Sequence, residues 1–331
     1  MSLLRSNTQH TNNTTKTTIT IQRQNIPQLH RMPPQKRMDT NIPFKTREYG
    51  SRRKNIQQET TIRWETMKGQ RFKKRMSDKM TIKNEYALSS NETVNIIPLG
   101  DFHIGSSEFN YEFFDYMLKQ IKKLKNRRIY LMGDLLESAS KHVGNSSFHT
   151  HMSLEEQKEF LLESLGPFQE DIIGVCVGNH EARLIKEFDF NVVADIAREL
   201  GCQWYNQNID RFKINEHTID VFTRHGKGTS GQRHLSMGKL ERSTNNIQAD
   251  IYLEGHNHRL LSWNKFYVDK TGLHRKYYGY SGAFLNYGGS YAESMYLDVE
   301  PPAYQTISIN KNKRIKFNQH FCDLETDIKF M

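Results

Sequence analysis

The sequence predicts an α/β layered core preceded by a long basic arm that lacks a core of its own. Three observations predict it. From about residue 93, short apolar runs of strand length alternate with longer runs at helical spacing. The first 80 residues hold 18 Lys/Arg against 5 Asp/Glu, a net of +13, whereas the whole chain of 331 residues carries only +10. The apolar fraction is 36%, low enough that part of the chain stays unpacked. Residues 81–331 are therefore slightly acidic, and they are numerous enough to enclose a sizeable interior.

Residues 1–45 are Thr, Asn and Gln with scattered basic groups and one aromatic, Phe44. Such a stretch buries too little apolar surface to offset its ordering entropy, so an unfolded arm is expected over 1–82. Within it, Trp64, Met67, Phe72, Met76 and Met80 approximate one helical stripe, which makes a short basic helix over 60–80 the alternative. The domain is expected over 83–331. Val94–Leu99 reads as a buried strand, Tyr111–Leu124 as a helix, and Ile129–Met132 as a second strand. Leu154–Leu165 reads as a helix opened by Ser153 with Glu156 completing a capping box. Ile172–Val177 is a third strand and Val192–Leu200 a third helix, stopped by Gly201. Ile219–Thr223 and Ile251–Leu253 are further strands, and the last sixty residues are strands and turns.

Several classes fall away. No run of about 18 apolar residues exists to cross a membrane, and the start offers only Leu3 and Leu4 before turning polar, too little for a secretory signal. Three cysteines without a CxxC pair make no disulfide framework. Cys176 lies in an apolar run and is expected as a small buried hydrophobe. A reducing, cytoplasmic setting is expected.

The chemistry follows the strands. Each of five strands is followed by metal-ligating types: Asp101 and His103, Asp134 and Glu137, Asn179 and His180 with Glu181, His225, then His256 and His258. The carboxyl ends of strands are where open α/β sheets place their sites. One Asp-x-His or His-x-His alone is usually solvated surface, but five such pieces, all after strands, point to one centre. Asp, Asn and His without Cys suit a hydrolytic pair of divalent ions rather than a structural zinc.

This set, Asp101-x-His103, Gly133-Asp134-x-x-Glu137, Gly178-Asn179-His180-Glu181, His225 and Gly255-His256-x-His258, resembles the calcineurin-like metallophosphoesterase superfamily. GNHEARL and SGAFLNYGGSYAES are also similar to phage-encoded members. The resemblance implies a four-layer α/β/β/α sandwich with a dinuclear site at its edge. It implies that Asp101, His103 and His258 hold one metal, that Asn179, His225 and His256 hold the other, and that Asp134 bridges them. Mn²⁺ is the expected ion, with Fe, Zn²⁺ or Ni²⁺ as alternatives. A metal-bridging hydroxide would attack phosphorus, His180 would protonate the leaving oxygen, and Glu137 would orient His180, with a solvated turn carboxylate its equal alternative. Glu181 is expected as a solvated turn carboxylate sooner than as the partner of His180.

Arg183 and Lys227 are candidates for phosphate contact, with surface charge the equal alternative. His142, His149 and His151 lie in a polar loop whose position suggests a substrate-facing lip, although loop histidines are more often simply exposed. The aromatics Trp204, Tyr205, Trp263, Phe266, Tyr277, Tyr278 and Tyr280 are expected to pack rather than stack on bases. The first functional expectation is a phosphodiesterase or nuclease, with the basic arm binding nucleic acid through its phosphates. The second is a phosphomonoesterase acting on a small molecule or phosphoprotein, and the third a scaffold that has kept the fold. Against a protein phosphatase, no Arg-Gly follows Glu137's segment. Against a scaffold, no ligand position is missing.

Overall fold

Two six-stranded sheets face each other across an apolar interior in the structure, a computed structural model that describes residues 82–88, 93–138, 150–214, 216–228, 232–287, 298 and 300–322. The arm up to residue 81, its candidate helix, His142 and His149 lie outside the described residues. In chain order the elements are β1 (Ile82–Leu88), β2 (Val94–Leu99), α1 (Tyr111–Lys122), β3 (Arg127–Leu131), α2 (Leu154–Leu165), β4 (Ile172–Cys176), α3 (Asn179–Phe188) and α4 (Val192–Glu199). Then come β5 (Gln203–Tyr205), β6 (Gln207–Ile214), β7 (His217–Arg224), α5 (Arg233–Ser243), β8 (Ile251–Glu254), β9 (Leu260–Asp269), β10 (Gly272–Ser281), β11 (Ala303–Ile309) and β12 (Ile315–Phe321).

Sheet one runs β1-β6-β7-β8-β10-β9 and sheet two β12-β11-β2-β3-β4-β5. Side chains alternate across a strand, so each central strand feeds two interiors. Val94 and Ile96 of β2, with Tyr130, Met132 and Cys176, meet Phe212, Val221, Ile251 and Leu253 of sheet one. Ile97 and Leu99, with Ile129, Leu131 and Val175, turn outward onto Phe114 and Met117 of α1, Leu161 of α2 and Ile196 of α4. On the far side, Phe222, Tyr252, Tyr278 and Tyr280 pack under Leu240 of α5. The result is the expected four-layer α/β/β/α sandwich.

Local chemistry starts the helices. Asn110 caps α1 by accepting from the Phe113 N–H at 2.8 Å. Ser153 and Glu156 form the expected reciprocal capping box, at 3.3 and 2.7 Å. Six elements were not anticipated: β1, β5, β6, β9, α3 and α5. The helix α5 buries only Ser236 and Leu240, so it has little apolar periodicity to detect. Cys176 is buried, as expected.

The consequence for function is directional. β2, β3 and β4 are mutually parallel, and so are β7 and β8. Their carboxyl ends therefore gather every metal-ligating segment at one edge of the sandwich.

Candidate metal centre

Asp101 and His103 leave β2 in the left-handed region, at φ 52° and 51°, with Phe102 between them buried in the helix-side interior. Asp134 after β3 (48°), and His256 and His258 after β8 (68° and 53°), adopt the same conformation. For a non-glycine residue this conformation costs about 1–2 kcal/mol, and such outliers persist where the surroundings over-determine them. Here neighbouring strand ends hold them. Asp101 N donates to Gly133 O at 2.9 Å, and His103 N donates to Asp134 O at 3.0 Å. His256 N donates to both Asp101 carboxylate oxygens, at 3.0 and 2.9 Å.

The side chains converge in three groups: two share Asp134, and a third joins His103, Glu137 and His180. Asp101, His103, Asp134 and His258 each offer a ligand atom within 4.8 Å of the others, and so do Asp134, His225 and His256. Asn179 joins the second group, its Oδ1 3.0 Å from His225 Nε2, while Asp134 Oδ2 lies 3.2 Å from that nitrogen. The Nε2 atoms of His103 and His258 face each other at 3.1 Å.

This donor set fits divalent cations, and the outer hydrogen bonds are the reason. His103 Nδ1 meets the Glu137 carboxylate at 2.9 Å, and His225 Nδ1 meets the Met132 carbonyl at 2.9 Å. With Nδ1–H donating outward, the Nε2 lone pair of each neutral ring points into the cluster, the usual arrangement behind a metal-binding imidazole. Two buried carboxylates, four imidazoles and an amide oxygen, with no thiolate, form a set for borderline and hard ions.

The buried charges of this cluster shift one another's titration. Burial would lower His103 and His225, but the hydrogen-bonded Glu137 and the nearby carboxylates lift His103 to about 9, and Asp134 lifts His225 to about 10. Asp134 is pushed far down despite its burial because His225 and His103 flank it. Asp101, desolvated and beside Asp134, is raised to about 7. Burial and the charge of His225 push His256 down to about 4, and burial takes His258 well below the usual range.

One expectation gains detail and another needs correction. Glu137 does meet His180, but its carboxylate lies 3.8 Å from His180 Nδ1 and is engaged by His103. The main-chain carbonyl of Glu137 accepts from His180 Nδ1 instead, at 2.7 Å. Glu181 is not a solvated carboxylate. It is fully buried and accepts N–H bonds from Asp134, Leu135, Leu136 and Gly178, at 3.1, 2.7, 3.1 and 3.1 Å. Its burial and the Asp134 charge raise its pKa. Spacing hints at one of these bonds only: Glu181 stands three residues after Gly178 at the start of α3, the separation at which a carboxylate reaches back to the N–H before a helix. Gly178 is obligatory there, because a Cβ would sit 2.1 Å from Asp134 N.

His180 stands beside the first group, its ring centroid 4.4 Å from that of His103. Burial and the His103 charge hold its pKa down to about 4. Arg183 is half-buried on α3 and Lys227 is exposed beyond His225. His151 meets the Tyr111 hydroxyl at 2.9 Å. Trp263, Tyr278 and Tyr252 form a stacked ladder beneath α5, with centroids 5.3 and 4.9 Å apart, so these aromatics pack as expected.

No family model and no curated protein matches the chain. Solved structures similar to it include a metallophosphoesterase from Sphaerobacter thermophilus, at 14% identity over 70% of this chain and 91% of that one, TM-score 0.39. A predicted phosphoesterase from Streptococcus pneumoniae TIGR4 aligns at 13% identity over 70% and 99%, TM-score 0.33. Vps29 from Chaetomium thermophilum aligns at 10% identity over 71% and 97%, TM-score 0.36. Among the described residues, no helix is long and apolar enough to cross a membrane.

Proposed function

We propose that this chain, a four-layer α/β/β/α sandwich, is a calcineurin-like metallophosphoesterase: a metal-dependent phosphoric ester hydrolase acting on the phosphodiesters of nucleic acid. One observation carries the reading: a single carboxylate, Asp134, is shared by two clusters of inward-facing imidazoles, with His180 beside them, its ring centroid 4.4 Å from that of His103. Asp101, His103 and His258 would hold one divalent cation, and Asn179, His225 and His256 the other, with Asp134 common to both and Mn²⁺ the first choice. Such a pair activates water near neutral pH and neutralises phosphate oxygens.

The chain's own residues supply the rest. Glu137 and the Met132 carbonyl fix the rings of His103 and His225, so the ligand atoms are oriented before any ion arrives. His180 donates Nδ1–H to the Glu137 carbonyl, which leaves Nε2 as the nitrogen that exchanges a proton with the ester. An anionic phosphate beside it opposes the His103 charge and favours the imidazolium, the form that can protonate a leaving oxygen. The arm's +13 supports a polyanionic substrate, since clustered Lys and Arg bind phosphates without regard to sequence.

The test offers the full chain bis-p-nitrophenyl phosphate and p-nitrophenyl phosphate with Mn²⁺, then single- and double-stranded DNA. Diester turnover and salt-sensitive DNA cleavage are expected. Monoester-only turnover would replace this reading with a phosphomonoesterase, and inactivity of a metal-loaded protein would leave a scaffold.

A further inference from the structure

Directly behind the His225–His256 half of the centre lies an ion pair that the reaction above does not use. Arg224 ends β7 and Glu254 ends β8, and the two are partners in the strand register. Each immediately precedes a ligand segment, His225 in one case and Gly255-His256 in the other. Arg224 Nε donates to Glu254 Oε2 at 2.5 Å, and its Nη2 reaches the same oxygen and the Ser243 hydroxyl on α5. Only 3% of the Glu254 side chain is exposed, against 19% for Arg224. The carboxylate also supports the residue after His225: Gly226 sits at φ 101°, and a Cβ on it would lie 2.6 Å from Glu254 Cδ. One buried pair thus ties together α5, both strand ends and the turn that carries His225. No comparable ion pair between strand ends serves the Asp101–His103 side among the described residues, where Glu137 bonds the ligand ring itself.

We propose that Arg224 and Glu254 are positioning residues for the second cation, setting the separation and aim of His225 and His256. The proposal rests on reading the site as a two-cation centre. A stability role makes a different prediction, because a buried ion pair exchanged for apolar side chains of similar volume commonly leaves stability unchanged or raised. Positioning by an outer pair is instead read in the ions, where loss of such a partner weakens metal binding by about 10–100-fold.

The experiment titrates Mn²⁺ calorimetrically into the full-length, chelator-stripped chain and records thermal melts. The parent should take up two equivalents, and fewer than two would overturn the two-cation reading and this proposal with it. The double variant Arg224→Met, Glu254→Leu should melt near the parent, keep one equivalent at parental affinity and bind the other at least tenfold more weakly. Two equivalents at parental affinity, or equal weakening of both, would overturn the proposal while leaving the two-cation reading intact. If the double variant does not fold, Glu254→Asp keeps the charges and shortens the link by one methylene. Selective weakening of one equivalent in that variant supports positioning, and an unchanged titration refutes it.

Discussion

The carboxylates around His103 and His225 favour the protonated form of both rings. Both are raised above the ordinary imidazole value of 6.5, to about 9 and about 10, so both are imidazolium at pH 7. A divalent ion must displace those protons, and its affinity is therefore linked to pH. The sign follows from the direction of the shifts: each proton competes below the raised pKa and stops competing above it. Apparent Mn²⁺ affinity should rise from pH 7 to pH 9 and level off above about 10, with proton release on binding at pH 7. Titration calorimetry in buffers of different ionisation enthalpy measures that release directly, and pH-independent uptake without it would contradict the ligand assignment. His180 is proposed as the proton donor rather than a ligand, although it also stands within ligand reach of His103 and Glu137. His180→Ala should keep metal content at the parental level and lower turnover by about 10²–10⁴-fold. Atomic absorption alongside steady-state kinetics separates the two effects.

At the scale of elements, the centre is a set of strand ends, and the turn after β3 is its keystone. Glu181 at the start of α3 collects three N–H groups from that turn and one from Gly178, so one carboxylate aligns the backbone that presents Asp134, Asn179 and His180. In Glu181→Gln an amide NH₂ must face N–H donors. That should lower stability by about 1–3 kcal/mol for the unmatched buried group, seen as a drop in Tm, and should weaken both metal equivalents together. Glu181→Asp should fall between the two. This carboxylate also marks where sequence reading stops. The ligand segments after β2, β3, β4, β7 and β8 were legible because glycine and a metal-ligating type recur after each apolar run. The central strands were legible because their residues are buried on both faces and read as continuous apolar runs. Glu181 was missed because a lone acidic residue in a polar helix start looks the same whether solvated or buried, and only the fold brings four N–H groups to it. For Glu137, spacing puts it near His180, where it is found, but only geometry reveals that its carbonyl makes the closer contact. Strand β1 escaped notice because its residues, IKNEYAL, carry too few apolar positions to stand out beside the arm.

At the scale of the whole molecule, charge and chemistry are separated along the chain. The +13 lies before residue 81, whereas the residues that build the sandwich and its centre sum to a slightly acidic total. Two bound divalent cations would add +4 at the catalytic edge, so a phosphate group can be attracted locally without any help from the arm. Long-range attraction to a polyanion is another matter, because ionic strength near physiological screens exposed charges beyond roughly 8–10 Å. This division predicts that small and large substrates respond differently to the arm. Removing residues 1–81 leaves β1 and everything after it, so turnover of a small chromogenic diester should be unchanged within about twofold. DNA should behave otherwise: its KM should rise by an order of magnitude or more at low salt, and the slope of log affinity against log salt should flatten, since each lost phosphate contact removes about 0.9 from it. Steady-state kinetics on both substrates across 50–200 mM salt make the comparison. Equal loss on both would mean that the arm supports the fold or the centre itself, and no loss on either would sever the arm from substrate binding.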